Sequence, residues 1–378
     1  MKLIIVGGHL SPALALIEKL RHDKPEWQLF FVGRIHSMEG DLSLSPEFKV
    51  LPKMQVKFIS LTTGRLQRKF TTKTIISLAK ILPGLIQAFR IIISEGPQLI
   101  VSFGSYQAVP VVIAGWFLRV PIITHEQTVE AGLANKIISK FANKVAVSFK
   151  ESVKFFPKDK TVVTGNPIRL SIFARLADSE VLESFFQENQ KLKLVYVTGG
   201  SQGSHFINQA VFSILPKLLK NFAIVLQTGD SQIFKDYETG VTIVNKLSKE
   251  LAKRCHLVKF LTGQDLGAVL NKAYFVISRA GINTVSELAA LKKPTIFIPL
   301  PFTQKQEQQK NAELLASLGA AVILPQSTLS PEILEKAIDN FSQRLSFYQA
   351  NAVKARSLVD LDAADKLAAE IEGLTHSV

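Results

Sequence analysis

Short, continuous apolar runs rich in β-branched residues recur along the chain. They are Leu3–Val6, Leu29–Val32, Leu99–Phe103, Ile122–Thr124, Val145–Phe149 and Val162–Thr164, then Leu194–Thr198, Ala223–Gln227, Tyr274–Ser278, Thr295–Pro299 and Ala321–Leu324. Strands that do not alternate apolar with polar are buried on both faces, as in parallel sheets covered by helices. Between the runs the apolar period becomes helical, most clearly in Ser11–Leu20, Thr72–Ile93, Ser204–Leu219, Asn283–Leu291 and Gln308–Leu318. The alternation predicts an α/β protein of two doubly wound, Rossmann-like domains joined near Gly165–Glu188. Each half opens on a strand that runs into glycines and then a helix, at Leu3–Gly8 and at Leu194–Gly203. In such sheets ligands bind beyond the carboxyl ends of the strands, so two facing domains are expected to form a cleft. No short-period repeat or low-complexity tract is present.

The length of 378 residues suits two domains, and 47% hydrophobic residues are enough for two cores, which excludes a wholly disordered chain. The single cysteine, Cys255, rules out an intramolecular disulfide or a cysteine-based zinc site and reads as a buried structural thiol. No apolar run reaches the length of a membrane span, and Val109–Thr124 is interrupted by Arg119 and Pro121. His9, Ser11 and Pro12 spoil the N-terminal stretch as a signal peptide, so a cytoplasmic protein is expected.

The net charge is +14 but uneven: residues 1–166 carry 22 basic and 11 acidic side chains, a surplus of +11, against +3 for the rest. No acidic residue lies between Glu47 and Glu95, where Lys49, Lys53, Lys57, Arg65, Arg68, Lys69, Lys73, Lys80 and Arg90 are all basic. That surplus calls for an anionic partner: nucleic acid, an anionic membrane or a phosphorylated substrate. Nucleic acid is the weakest of these, because no recognition motif is present and aromatics are not interleaved with the basic residues. Ile75, Leu78, Leu82, Leu85, Ile86 and Phe89 share a helical spacing, which fits a basic amphipathic stretch on an anionic membrane or an ordinary core-facing helix that Pro83 kinks.

The strongest chemical signal is Thr198-Gly199-Gly200-Ser201-Gln202-Gly203, between a strand and a helix. Glycines admit close backbone approach, the helix N-terminus offers N–H groups at a positive dipole end, and Ser201 and Gln202 add donors. This is neither a Walker loop nor a dinucleotide fingerprint. It reads as a phosphate site, or else as a tight strand-to-helix turn. His9, after Gly7-Gly8, enters a helix at a strand's carboxyl end, and His125-Glu126-Gln127 also follows a strand. Arg169, after Gly165-Asn166-Pro167, is either a phosphate clamp or a solvated arginine. Glu287, after Ser286, offers a carboxylate to sugar hydroxyls, or is a solvated acid near a helix N-terminus. Gln304, Gln306, Gln308 and Gln309 suit a hydroxyl-rich ligand or a polar helix start.

Together the landmarks resemble glycosyltransferase family 28, the GT-B N-acetylglucosaminyltransferases of bacterial peptidoglycan synthesis, over nearly the whole chain. They are Gly8-His9-x-x-Pro12-x-Leu14-Ala15, Gly104-x-Tyr106, Pro121–Gln127 with Ala131-Gly132-Leu133-x-Asn135-Lys136, Gly165-Asn166-Pro167-x-Arg169, Gly199–Gly203 with Asn208, Ser278-Arg279-x-Gly281, Thr284–Glu287 and Gln308-x-x-Asn311-Ala312. The resemblance implies an N-terminal acceptor- and membrane-facing domain over 1–166 and a UDP-GlcNAc-binding domain over 167–346. A C-terminal helix in 347–378 would pack back toward the first domain. The implied reaction is an inverting transfer of GlcNAc from UDP-GlcNAc to lipid I, giving lipid II, without a cofactor or a required metal, by a peripheral protein at the cytoplasmic face of the membrane. Other readings that share the donor loop are a UDP-GlcNAc enzyme with another lipid acceptor, a 2-epimerase, or a non-enzymatic nucleotide-sugar-binding protein.

By the same resemblance Arg169, Ser201, Gln202 and Gly203 hold the diphosphate and the backbone of Leu261 meets uracil. Ile282, Asn283, Thr284, Val285, Ser286 and Glu287 line the nucleoside pocket, with Glu287 on the ribose. Gln308 binds the GlcNAc hydroxyls, with Gln309 beside it. Gly7, Gly8, Tyr106, Thr128 and Asn135 lie on the acceptor side, and His9 is the candidate base with Glu126 in reserve. The chain departs from the family pattern in a first glycine loop about three residues shorter, in Thr128 where asparagine is usual after His-Glu-Gln, and in Ser105 in place of a loop glycine.

Overall fold

The structure, a computed structural model, describes residues 1–36, 43–62, 81–302 and 306–375. Arg65, Arg68, Lys69, Lys73 and Lys80 of the basic stretch, and Gln304, lie outside the described residues.

The chain folds into two compact units, the first running from the N-terminus through Arg169 and taking up the chain again at Asp360, the second covering Leu170–Val359. The first holds a seven-stranded sheet in the order β3-β2-β1-β4-β5-β6-β7. Its strands are β1 (Lys2–Val6), β2 (Gln28–Gly33), β3 (Lys57–Ser60), β4 (Leu99–Ser102), β5 (Ile122–Glu126), β6 (Lys144–Val147) and β7 (Thr161–Val163), every pair parallel. The second holds a six-stranded parallel sheet in the order β10-β9-β8-β11-β12-β13. These strands are β8 (Lys193–Thr198), β9 (Phe222–Gln227), β10 (Cys255–Val258), β11 (Phe275–Ser278), β12 (Thr295–Phe297) and β13 (Ala321–Ile323). In both sheets the strand order turns back at the first strand of the unit, so the loops after β1 and β4, and after β8 and β11, flank a topological switch point, where doubly wound folds place their ligands.

Every predicted strand is present. The two that the apolar pattern misses, β3 and β10, are sheet edges whose runs are cut by polar residues, Lys57 and Ser60 in one and His256 in the other, whereas the edges β7 and β13 keep apolar runs. β5 continues through Glu126, which puts His125 and Glu126 inside the strand rather than after it. Cys255 sits in edge strand β10, and burial pushes its thiol up to about 12, where it is inert as a nucleophile.

The crossing between units falls at Arg169/Leu170 and the return at Val359/Asp360, both later than the sequence landmarks place them. The reason is apolar packing. Leu345 and Tyr348 of the helix Leu345–Ala355 complete the second core, with the Tyr348 ring stacked 4.0 Å from that of Phe341. Burying each such side chain is worth about 1.5–3 kcal/mol, so this helix stays with the second unit. The last helix, Ala363–Thr375, packs on Leu10–Asp23 of the first unit through buried Ala364, Leu367 and Ile371, with Lys19 paired to Asp365 and Lys24 to Glu372 at 3.2 Å. Among the described residues, no helix is long and apolar enough to cross a membrane.

Candidate functional site

In the second unit, β8 ends at Thr198 and the Gly199–Gly203 loop leads to Ser204, whose Oγ caps the helix His205–Leu218 by accepting from Ile207 N. The loop lies directly on the Thr228–Gly229 corner that follows β9. A Cβ on Gly203, which holds φ +75°, would stand 1.9 Å from the Thr228 carbonyl oxygen, so only glycine fits there. The Ser201 and Gln202 side chains are exposed at the loop's tip, and loop donors and the helix N-terminus together suit an anion. Arg279, after β11, donates to Ser204 Oγ (2.8 Å) and to Ile298 O (2.9 Å), tying the loops on either side of the switch point; burial lowers its pKa to about 10, still charged at neutral pH.

Beside this loop, Ile282–Ala290 starts at Gly281 with its N-terminus at the carboxyl end of β11. Ile282, Val285 and Ser286 are buried, Asn283 and Thr284 half-buried, and Glu287 is 7% exposed, so Glu287 is not a solvated acid. Asn283 and Glu287 stand one turn apart on a common face. Gln308 Oε1 accepts from Leu300 N at 2.9 Å, which fixes that side chain against the strand-exit loop. Gln309 donates to Glu313 Oε1 (3.1 Å) along its own helix, in an exposed hydrogen bond. Leu261 is buried and its N–H donates to Gln227 Oε1 at 2.8 Å.

In the first unit, Gly7 and Gly8 lead from β1 to His9, which precedes the helix Leu10–Asp23 with extended backbone. The loop after β4 packs against them: a Cβ on Gly7 would meet the Phe103 backbone at 2.9 Å, and one on Gly8 would meet Ser105 Cβ at 2.9 Å. Ser105 holds φ +71°, the left-handed conformation that a glycine takes freely. Tyr106 is covered on one face by the Arg34 guanidinium, 5.3 Å from its ring centre. Burial lowers the pKa of His9 below 6.5, and the negative charge of Glu126 opposes that fall, so the imidazole is neutral at pH 7 and able to accept a proton.

Glu126 is 3% exposed and its carboxylate is filled with donors. Oε1 accepts from Thr128 N (3.1 Å) and shares the single proton of Thr128 Oγ1 (2.8 Å) with Glu130 O (2.7 Å), and Oε2 accepts from Gly132 N (2.9 Å) and Asn135 Nδ2 (3.1 Å). Asn135 also donates to His125 O (3.1 Å) and accepts from Thr124 Oγ1 (2.9 Å). These bonds make Glu126, Thr128 and Asn135 a buried brace rather than an open set of reactive groups. His125 donates from Nε2 to Gly165 O (3.0 Å) and accepts at Nδ1 from Gln127 Nε2 (3.2 Å); burial lowers its pKa to about 4, so it is a neutral strut under the Gly165–Arg169 turn. Arg169 at the end of that turn is 5% exposed, which removes the solvated-arginine reading.

Two polar residues that the sequence reading passes over belong to the second unit's loops. Gln227, the last residue of β9, bonds to both Gly200 and Leu261. Asp236 accepts from Asn208 Nδ2 (2.8 Å), which also donates to Thr228 O (2.8 Å). Gln227 left one signal in the sequence, a polar residue closing an apolar strand just before Thr-Gly. Asp236 left none. Among the described residues, no group of three or more His, Cys, Asp or Glu is placed to hold a metal ion.

Comparison with known proteins fits this arrangement. The glycosyltransferase family 28 N-terminal domain matches residues 6–147, and the family 28 C-terminal domain matches residues 194–367. A UDP-N-acetylglucosamine–N-acetylmuramyl-(pentapeptide) pyrophosphoryl-undecaprenol N-acetylglucosamine transferase of Natranaerobius thermophilus is 32% identical over 348 residues, 90% of each chain. The enzyme so named in Geotalea uraniireducens is 32% identical over 378 residues, 98% of each chain. Among solved structures, Acinetobacter baumannii MurG superposes with a TM-score of 0.63 at 23% identity, covering 98% of this chain and 99% of that one. The Neisseria meningitidis UDP-GlcNAc 2-epimerase bound to UDP-GlcNAc superposes with a TM-score of 0.60 at 12% identity, covering 99% of each, a likeness of fold alone.

Proposed function

The chain belongs to glycosyltransferase family 28, with that family's GT-B pair of Rossmann-like domains, and we propose that it transfers GlcNAc from UDP-GlcNAc to the muramyl sugar of lipid I, forming lipid II for peptidoglycan. The observation that carries the proposal is the position of the two glycine loops, Gly7-Gly8 before His9 and Gly199–Gly203, each at the switch point of its own sheet.

The second unit takes the donor. Ser201, Gln202 and the loop N–H groups bind the diphosphate; the Leu261 backbone reads the base, Ile282–Glu287 line the nucleoside pocket with Glu287 on the ribose, and Gln308 faces the sugar. The first unit takes the acceptor, with Gly7, Gly8 and Tyr106 on its side. The muramyl 4-hydroxyl oxygen forms a bond to the anomeric carbon as the bond to the diphosphate breaks, inverting that carbon. The proton passes to His9 and the electron pair leaves with UDP, whose charge the loop donors stabilise. Glu126, saturated with donors, serves by holding the loop and biasing His9 rather than by taking the proton.

The acceptor is carried in a membrane, and the first unit has a surface suited to one. Leu82, Ile86 and Ile93 of the helix Ile81–Glu95, and Trp116 and Phe117 of the adjoining helix Ala108–Phe117, are all exposed, with Phe117 at 63%. The Phe89 and Phe117 rings lie 6.1 Å apart and those of Trp116 and Phe141 5.4 Å apart, with Arg90, Arg119 and Lys140 exposed on the same segments. An apolar patch with nearby cations fits a peripheral protein on anionic lipid at the cytoplasmic face.

Turnover of lipid I with UDP-GlcNAc, followed by product mass, tests the proposal. The expected result is lipid II plus UDP. Conversion of UDP-GlcNAc in the absence of lipid I would show an epimerase instead, and UDP binding with no turnover would show a binding protein.

A further inference from the structure

Gln227 closes β9, the strand between β8 and β10, and its register partners are Thr198 on one side and Val258 on the other. Its side chain is 3% exposed and every hydrogen-bonding position on its amide is used. Toward the glycine loop, Nε2 donates to Gly200 O at 2.9 Å and to Thr198 Oγ1 at 3.1 Å. Toward the other loop, Oε1 accepts from Leu261 N at 2.8 Å and from Tyr196 OH at 3.1 Å. Chemistry fixes the amide's orientation: a backbone N–H must face the oxygen, and a carbonyl must face the nitrogen. The same Gly200 carbonyl accepts from Gly203 N at 3.0 Å, the bond that closes the loop on itself. One planar group therefore joins the loop assigned to the diphosphate to the peptide assigned to the base.

We propose that Gln227 is a positioning residue that holds the phosphate loop and the base-reading backbone in one fixed spacing, so that a uridine diphosphate is recognised as a single unit rather than by two independent subsites. The inference rests on the donor-site reading above. A buried amide with four satisfied bonds fixes both loops before the ligand arrives, and the ordering cost falls on folding rather than on binding.

Two variants separate the halves. Gln227→Glu keeps acceptors toward Leu261 N and Tyr196 OH but sets an oxygen against the Gly200 carbonyl, whereas Gln227→Met removes both sides without adding charge. Binding of UDP and of uridine to the full chain is measured by calorimetry, which reports the dissociation constant separately from the fraction of competent protein. Gln227→Met is expected to weaken UDP about tenfold or more and uridine about threefold or more at full stoichiometry. Gln227→Glu is expected to weaken UDP at least as much while leaving uridine within about twofold. A reduced stoichiometry with unchanged dissociation constants would mean that Gln227 only supports folding, and unchanged constants at full stoichiometry would equally overturn the inference. Failure of the unaltered chain to bind UDP would instead remove the donor-site reading, and this inference with it.

Discussion

Glu126 Oε2 accepts a hydrogen bond from Asn135 Nδ2 at 3.1 Å, joining the last residue of β5 to the helix Leu133–Ile138 in a buried setting. Gly132 N, 2.9 Å from the same oxygen, binds it from the turn that opens that helix. The carboxylate is thus a structural anchor at the carboxyl end of a central strand, and its charge acts on His9. Gln in place of Glu126 turns an NH2 toward one of these donors and leaves a buried polar group unpaired, a loss of about 1–3 kcal/mol. Glu126→Gln is therefore expected to lower the thermal melting temperature. Because the negative charge raises the pKa of His9, its removal also moves the acid limb of the pH–rate profile to lower pH. An acid limb that stays in place or rises would sever Glu126 from His9.

As the proposed base, His9 can take a proton only when neutral. Its pKa lies below the ordinary 6.5, so the neutral form persists as pH falls through 6.5 and is lost further down. The acid limb of kcat/KM, which reports the free enzyme, is accordingly expected below pH 6.5. His9→Ala should lower kcat by about 10²–10⁴-fold, the usual contribution of a positioned base, while calorimetry finds UDP binding unchanged. A variant with undiminished kcat would take the role away from His9.

Much of this could be read in the apolar pattern, because parallel strands covered on both faces leave continuous runs, and eleven of the thirteen strands among the described residues left them. β3 and β10 did not, since Lys57, Ser60 and His256 break their apolar runs, while the edges β7 and β13 kept theirs. The glycine loops were legible because close backbone approach demands glycine at fixed places, as at Gly203. The roles of Glu126, Asn135 and Gln227 were not. A buried brace and an open reactive group use the same residue types, and only the positions of the partner donors, such as Leu261 N on Gln227, tell them apart.

The departure at Ser105 has a structural correlate. Its left-handed backbone would suit a glycine, and its Cβ stands where a side chain on Gly8 would go. Gly8→Ala alone forces a contact of 2.9 Å and is expected to lower the melting temperature and the acceptor turnover. In a Ser105→Gly background the obstructing Cβ and Oγ are gone, so the same Ala should cost less than half as much. Equal losses in both backgrounds, read from a double-mutant cycle of melting temperatures, would show that the two loops do not meet.

The exposed apolar surface of the first unit makes the last prediction. Trp116 and Phe117 end a helix whose Val111, Val112 and Ala114 are fully buried, while the two aromatic residues are 48% and 63% exposed and their rings meet those of Phe141 and Phe89. Trp116→Ser with Phe117→Ser should leave UDP binding unchanged. It should also weaken flotation with phosphatidylglycerol vesicles by about tenfold or more, since each ring contributes about 1.5–3 kcal/mol on leaving water. Added salt should weaken what binding remains, because the nearby Arg90, Arg119 and Lys140 then act alone through screened charge. If the double variant floats as well as the unaltered chain, the patch does not face lipid, and attraction to the membrane rests on the basic residues alone.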